Sequence, residues 1–459
     1  MKKDFINFSI LAVMALSITG CSHDFDLYEG PQPDGSEQEP KVANTFDFKT
    51  TQDVNLTVDY ASAGAVFFEV YAENPIVKTL ENDIPVISRN KNAKSLYGGY
   101  TNANGHFSGK VTLPAYATHL YIYSGNMLLD TNLLETDVNG GQAIAKAEST
   151  AQSRALTRAM TDQTLTDEVP VNFYSWAHDG TGASYNDSYK AEYTPITKGN
   201  GGWKTPLGKW NSLTGRPDYL LDKNNAANKD LIFNSDELRG LFEVIQNAVA
   251  VDRNCPEEFR APGDLTLQRN SEVAINMLGG TTMWSNSLGY YYYNGTAPTD
   301  LATTPIIMLF PNTNDGHGTA KDWGFNVIGV ERGDAVKLVY YPHIAEGNFD
   351  DATTEFPAGT SIGFVLKCNG WGAALGKEWV KDPWRYHGAV LNWWCTSTEG
   401  LSYCPDGVES GNSKLGQSAS RTAKFAFTSG GDEFAVISFE DMNHDTNFAD
   451  VAFALKPAS

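Results

Sequence analysis

The chain has 459 residues and a formal net charge of -21, from 34 lysines and arginines against 55 aspartates and glutamates. Phosphate recognition needs clustered basic residues, so this acidic composition argues against a nucleic-acid partner. The hydrophobic content of 41% is sufficient for large cores, and the length allows two or three domains.

The N-terminus predicts export. Two lysines precede a mostly apolar stretch over residues 5–18, which is too short for a stable membrane-spanning helix and ends in Ile18-Thr19-Gly20-Cys21. Small residues before a cysteine resemble the bacterial lipobox, in which a peptidase cuts before the cysteine and its thiol receives diacylglycerol. We predict a signal peptide over residues 1–20 and a lipid on Cys21. The alternative is an ordinary signal peptide with an incidental cysteine.

Residues 21–44 predict a lipid-anchored tether, because they are rich in proline, glycine and acidic residues and cannot bury a core. Ser22, Asp24, Asp26 and Glu29 resemble the acidic signal that sends lipoproteins of Bacteroidetes to the cell surface. We expect the chain to be anchored in the outer membrane, with its folded body on the outer surface of the cell. Two or three acyl chains, at about 0.8 kcal/mol per buried CH₂, anchor a protein stably.

Residues 45–147 predict a small β-sandwich. Apolar residues alternate with polar ones over residues 54–58, and further short strands are indicated at residues 65–71, 107–113 and 120–123. Asn104-Gly105 before the third of these is typical of a hairpin turn. The pattern resembles immunoglobulin-like and prealbumin-like sandwich modules, which often serve as spacers.

Residues 148–169 predict a linker, in which Arg154 and Arg158 would be open to trypsin-like cleavage. Residues 170–459 predict a larger domain. Its one well-signalled helix starts at the cap residue Asn234, has Glu237 three positions later, and continues with an apolar stripe consisting of Leu238, Leu241, Phe242, Ile245 and Val249.

The rest of this domain predicts strands at residues 272–278, 305–310, 335–341, 361–366, 424–427, 434–439 and 451–455. The expected fold class is mainly β: the N-terminal sandwich, followed by a larger C-terminal β-sandwich or jelly-roll-like domain with one substantial helix. In the run Tyr290 to Tyr293, alternate rings would point to opposite faces of a strand.

Four cysteines remain besides Cys21, an even number that suits disulfides in an oxidising compartment. We favour Cys395 with Cys404, which closes a short loop, and then Cys255 with Cys368. Free buried thiols are the alternative. Zinc is disfavoured because no CxxC or adjacent histidine pair has the required spacing.

Aromatic residues are dense between residues 371 and 403. Exposed rings of this kind can stack on sugars or anchor a protein partner, whereas buried rings would fill the core of the domain. The candidate ligand-binding aromatics are Trp371, Trp379, Trp384, Tyr386, Trp393 and Trp394.

Gly359-Thr-Ser-Ile-Gly363 matches the G-x-S-x-G pattern of hydrolases, which needs a strand before it and a helix after it. The following residues predict a strand, and no spacing connects His387 or His444 to Ser361. A glycosidase would need two paired carboxylates, and nothing in the sequence pairs them. We therefore predict no enzymatic activity.

Several segments resemble LruC-type lipoproteins, a family common in Bacteroidetes whose C-terminal domain has no assigned activity. The similarity spans roughly residues 265–456, with four segments in the family's order: Asn286-Ser-Leu-Gly-Tyr-Tyr-Tyr-Tyr-Asn294, Thr304-Pro-Ile-Ile-Met-Leu-Phe-Pro-Asn312, Phe356-Pro-Ala-Gly-Thr-Ser-Ile-Gly-Phe364, and Ile437-Ser-Phe-Glu-Asp441 with Asp445-Thr-Asn-Phe-Ala-Asp-Val-Ala-Phe453.

The resemblance implies a calcium site in the last segment, because calcium takes six to eight oxygen ligands from carboxylates, amides and carbonyls. The candidate ligands are Glu440, Asp441, Asp445, Asn447 and Asp450. Asn447 stands where the family has aspartate, and Ala449 where it has asparagine, so we expect a metal site that is either weaker than in the family or absent. A solvated acidic turn, in which Asp and Asn side chains bond the backbone, is the alternative.

These features together predict a lipid-anchored surface protein that binds a glycan, matrix or protein partner, with calcium ordering its C-terminal loop. The first alternative is a structural or fimbria-like assembly subunit that exchanges strands after cleavage in the linker. An unrecognised hydrolase is the second.

Overall fold

Nine strands and a hairpin-rich topology make up the first part of the fold. The computed structural model describes residues 49–81, 84–147, 165–167, 174–176, 193–195, 202–212, 214–282, 284–301, 303–316, 328–368, 370–371, 394–402, 420–429, 432–441 and 446–458. The first nine strands are β1 (Thr51–Asp59), β2 (Phe67–Tyr71), β3 (Ile76–Glu81), β4 (Ile84–Arg89), β5 (Tyr97–Tyr100), β6 (His106–Pro114), β7 (His119–Tyr123), β8 (Leu133–Asp137) and β9 (Gln142–Lys146).

These strands form two sheets and a hairpin. Sheet I has the order β6-β1-β9, with β1 antiparallel to β6 and parallel to β9, and sheet II has the order β5-β2-β7-β8. The hairpin consists of β3 and β4. Val54, Leu56 and Val58 alternate with more exposed neighbours along β1, so the period-two pattern predicted the buried face correctly.

The second part of the chain contains one α-helix among the described residues, α1 (Ser235–Ala248). The strands around it are β10 (Leu165–Thr166), β11 (Tyr174–Trp176), β12 (Tyr193–Pro195), β13 (Gly202–Lys204), β14 (Trp210–Asn211), β15 (Leu265–Thr266), β16 (Ser271–Gly279), β17 (Ser287–Asn294), β18 (Pro305–Phe310), β19 (Ala335–Lys337), β20 (Glu355–Phe356), β21 (Thr360–Lys367), β22 (Trp394–Thr396), β23 (Thr422–Ser429), β24 (Asp432–Phe439) and β25 (Val451–Ala458).

Two six-stranded sheets dominate this part. Sheet III has the order β13-β18-β17-β21-β15, with β22 also on β21, and sheet IV has the order β19-β16-β25-β24-β23, with β20 also on β16. A shared hydrophobic cluster fills the space between them, and the rings of Phe364 and Phe453 meet there at a centroid distance of 4.9 Å. This packing confirms a mainly β protein of the β-sandwich type.

Sheet IV is covered on its other face too. A second cluster joins its residues Phe427, Phe434 and Ala454 to Phe242 of α1 and to the core of sheets I and II. Because both faces of sheet IV are covered, eight of the nine residues of β16 are buried, including the polar residues Ser271 and Asn276.

The N-terminal sheets are therefore not separated from the rest of the described chain. Residues 49–459 form one compact unit, in which Asn126 Nδ2 donates to the Phe242 carbonyl at 3.2 Å and Arg89 lies 2.9 Å from Asp252. Two residues of the predicted linker, Leu165 and Thr166, pair with β14. Its two arginines lie outside the described residues.

The predicted helix is confirmed together with its cap. The Asn234 side chain accepts from the backbone of Asp236 and Glu237, and the Glu237 carboxylate accepts from the Asn234 N–H, which is a complete capping box. Within the described ranges, no helix is both long and apolar enough to cross a bilayer. The signal segment and Cys21 lie outside those ranges.

Candidate functional site

The C-terminal acidic loop, residues 440–450, connects β24 to β25. Four of its five predicted calcium ligands lie within the described residues, and all four are at least nine-tenths buried: Glu440, Asp441, Asn447 and Asp450. The fifth, Asp445, lies outside them. Burial of these four side chains differs from the solvated turn that was the alternative prediction.

The acidic side chains serve the backbone of their own loop. Buried backbone N–H groups need acceptors, and a carboxylate or amide oxygen supplies one. The donors and acceptors are Phe448 N to Glu440 Oε2 at 3.2 Å, Ala449 N to Asn447 Oδ1 at 2.6 Å, and Asp441 N to Asp450 Oδ2 at 2.7 Å.

Asp441 also connects the loop to sheet III. Its Oδ2 atom accepts hydrogen bonds from Thr282 Oγ1 and Asn286 Nδ2, each at 2.6 Å, just before β17 begins. Its carbonyl accepts from Cys368 Sγ at 3.1 Å. Sequence reasoning missed these partners because they lie 73 to 159 positions away.

The chemistry of this loop suits a hard cation, since carboxylate and amide oxygens are the ligands calcium takes. Glu440, Asp441 and Asp450 are each buried, but no group of three acidic, histidine or cysteine side chains is arranged to hold a metal in the part of the chain that the structure describes. Asp445 lies outside that part.

Only two of the six candidate aromatics lie within the described residues, and neither is fully exposed. Trp371 is buried in a third hydrophobic cluster on the outer face of sheet III, and Trp394 is half-buried beside it. The Trp394 ring lies 5.8 Å from Lys367 Nζ, a cation–π contact. Trp379, Trp384, Tyr386 and Trp393 lie outside the described residues.

The cysteine contact in the structure is not one of the two pairings favoured from the sequence. Cys368 Sγ lies 3.9 Å from Cys395 Sγ, between sheets III and IV, whereas Cys255 belongs to the other large cluster and contacts the Pro256 carbonyl. Cys255 and Cys368 are therefore not neighbours. The sequence could not show this, because loop length is no guide to which strands pair. Cys404 is outside the described residues.

The tyrosines of β17 use both faces of sheet III, as alternation predicts. On one face, Tyr290 OH donates to the Val339 carbonyl and accepts from the Val339 N–H, at 2.7 and 3.0 Å. Tyr292 OH does the same for Tyr341, at 2.8 Å for both bonds. The two tyrosine hydroxyls thus take the backbone hydrogen bonds of Val339 and Tyr341 that a neighbouring strand would otherwise make. This explains why β19 ends at Lys337, although the sequence predicted a strand to residue 341.

On the other face lies a cluster that sequence reasoning missed, here called the Asp264 cluster. Its residues come from four separate segments. The Asp264 carboxylate accepts hydrogen bonds through Oδ2 from Tyr293 OH and Thr398 Oγ1, each at 2.7 Å, and through Oδ1 from Ser397 Oγ. Tyr291 OH lies 2.6 Å from Thr398 Oγ1, and Lys424 Nζ donates a hydrogen bond to the Asp264 carbonyl at 2.6 Å.

The Asp264 cluster is partly accessible. Ser397 and Thr398 are buried, while Asp264, Tyr293 and Lys424 are half-buried. Burial lowers the pKa of Lys424, and the Asp264 carboxylate opposes this shift. Burial also raises the pKa of Tyr293, with the Asp264 hydrogen bond acting in the same direction. The cluster therefore presents hydroxyl donors and one carboxylate that are already bonded to one another.

Ser361 of the G-x-S-x-G pattern lies beside this cluster but not on a nucleophile elbow. Its hydroxyl shares a hydrogen bond of 2.9 Å with Thr266 Oγ1, and the chain continues after it as β21 to Lys367. A nucleophile elbow requires a helix at that point. His387 and His444 lie outside the described residues.

The comparisons with known proteins cover only the N-terminal sheets. Residues 52–147 match the family model described as "Domain of unknown function (DUF8469)". No curated protein and no solved structure matches the chain. The match supports treating sheets I and II as one recurring module and assigns it no activity.

Proposed function

We propose that this chain is a non-enzymatic lipoprotein, anchored through Cys21 in the outer membrane and displayed at the cell surface, where it binds a glycan, matrix component or protein partner. The observation that carries the non-enzymatic part is the Asp264 cluster. Its carboxylate accepts three hydroxyl hydrogen bonds from the protein itself, which leaves it poorly placed to act as a base.

Exposed aromatic rings on the N-terminal module favour a protein or matrix partner. Phe67 on β2 and Tyr100 on β5 are exposed by 39% and 60%, and their ring centroids are 5.1 Å apart. Their planes differ by 55°, whereas stacking on a sugar needs a flat platform. Tyr116, exposed by 72%, adds a third ring on the same module.

The edge strand β5 supports the alternative, an assembly subunit. In the described part of the chain β5 is hydrogen-bonded only to β2, and its central residues Gly98 and Gly99 carry no side chains that would block an approaching strand. An open edge of this kind accepts a strand from a partner.

Surface display is tested on intact cells that express the full chain. We expect added protease to digest the protein without lysis and Cys21→Ser to abolish both this digestion and the recovery of the chain with outer membranes. Wild-type protein that remains protected until the cells are lysed would contradict surface display. Cys255→Ser is the matched control, since its thiol is buried and should leave display unchanged.

We also propose that calcium orders the C-terminal acidic loop. A thermal melt of the full chain in excess calcium is expected to show a higher Tm than the same melt with chelator, because a ligand at 100 times its Kd stabilises by about 2.7 kcal/mol. Asp450→Ala should abolish this difference. Asp334→Ala, which removes another buried carboxylate bonded to Arg216, should lower the Tm but keep the difference. Identical wild-type melts would remove calcium from the proposal.

A further inference from the structure

We propose that Cys368 and Cys395 form a disulfide that ties β21 to β22. Leu366 lies directly opposite Cys395 in the antiparallel register of these strands, so Cys368, two residues further along, faces the same side of sheet III. Both side chains are fully buried, and their sulfurs are 3.9 Å apart. Forming the bond of about 2.05 Å would bring the two sulfurs together and would replace the hydrogen bond from Cys368 Sγ to the Asp441 carbonyl.

This pairing replaces both pairings favoured from the sequence, because each cysteine can bond only once. Cys255 is left as a single thiol in another cluster, and burial raises its pKa to about 11. A thiol with that pKa is protonated near neutral pH and attacks disulfides slowly. Cys404 could then pair only with Cys255, whose buried thiol reacts slowly.

The reaction is a thiol–disulfide exchange. One cysteine thiolate attacks a low-molecular-weight or protein disulfide and releases one thiol of that oxidant; the second thiolate then attacks the mixed disulfide and releases the other. The two cysteine protons and two electrons end on the oxidant, which becomes a dithiol or two thiols. Because both sulfurs are buried in the folded protein, the exchange takes place before β21 and β22 close.

The bond would enclose the aromatic segment. Cys368 and Cys395 are 27 positions apart, and the residues between them carry all six candidate ligand-binding aromatics. Closing a loop of this length restricts the unfolded chain and so stabilises the fold. In the cell the step rests on the proposed export, which supplies an oxidising compartment.

Peptide mapping tests the pairing in vitro. The full chain is refolded with oxidised and reduced glutathione, denatured, blocked with N-ethylmaleimide, and digested with trypsin and a glutamate-specific protease, which cuts after Glu399 and so separates Cys395 from Cys404. We expect a linked pair of peptides that contain Cys368 and Cys395, with Cys255 and Cys404 blocked. A Cys395–Cys404 link, or a blocked Cys368, would overturn the proposal.

Thermal melts give a second measurement. Cys368→Ser and Cys395→Ser are expected to lower the Tm of the oxidised protein by the same amount, roughly 5–10 °C, relative to wild type. Wild-type protein that is unfolded and refolded in dithiothreitol should lose most of this difference, because its disulfide then does not form. Cys404→Ser should leave both the map and the Tm unchanged. Because no cells are used, a negative map counts against the disulfide alone, while failed surface display counts against the proposed function.

Discussion

Glu237→Ala is expected to lower the free energy of unfolding by about 3–5 kcal/mol, because it leaves a buried lysine without its counter-charge. Glu237 Oε2 accepts from Lys456 Nζ at 2.9 Å and from the Asn234 N–H at 2.8 Å, and both charged residues are only 7% exposed. The substitution therefore breaks an ion pair with β25 and half of the helix cap together. Urea denaturation, with the midpoint and slope compared, measures the loss.

Two variants separate the buried pair from general helix effects. Asp236→Ala removes the neighbouring exposed pair with Arg239, where the Asp236 side chain is 80% exposed, and should cost less than about 1 kcal/mol. Glu237→Ala combined with Lys456→Met should be less destabilising than the sum of the single changes, because no charge remains unpaired. Equal losses for Glu237→Ala and Asp236→Ala would show that the buried pair does not hold α1.

Gly280→Ala is expected to destabilise the protein by about 3 kcal/mol, at the upper end of overpacking changes, because there is no room for a methyl group. A Cβ atom at this position would lie 1.8 Å from the Asp450 carbonyl oxygen and 2.8 Å from its carbon. These are backbone atoms at the start of β25, so the strand or the C-terminal acidic loop must shift. Chemical denaturation measures the loss of stability. We also expect Gly280→Ala to have a lower Tm than wild type when both are melted in chelator.

Gly240→Ala is the matched control and should change stability in the opposite direction. Gly240 lies inside α1, where alanine is favoured over glycine by about 1 kcal/mol. A Cβ atom there would meet its nearest neighbours at 3.8–3.9 Å, which is ordinary van der Waals contact. If both alanine variants were equally destabilised, the close approach at Gly280 would not be the cause.

Sequence patterns predicted the regular elements well where one physical rule dominates. The capping box at Asn234 and Glu237 needs only two residues three positions apart, and the strand at Pro305–Phe310 is a short apolar run between turns. The hairpin β3–β4 and the strands β8 and β9 were missed, because edge strands with one exposed face carry weaker patterns.

Predictions that depend on distant contacts could not be made from the sequence. The four described candidate residues of the acidic loop come from one short segment, but Thr282 and Asn286, whose side chains donate to Asp441, lie just before β17 of sheet III. The Asp264 cluster was missed for the same reason, because its hydroxyls lie on separate segments that come together only when sheet III forms. The contact between Cys368 and Cys395 depends on the register of β21 with β22, which spacing does not encode.

The central position of β1 in sheet I has a mechanical consequence. Tension that reaches the described chain at Lys49 loads β1 first, which pairs with β6 over all nine of its residues and with β9 over five. Under such shear the hydrogen bonds of both neighbours bear the load at once instead of opening one by one. The pairing of β1 on both sides is therefore suited to resist force, which the proposed anchoring at a cell surface would apply.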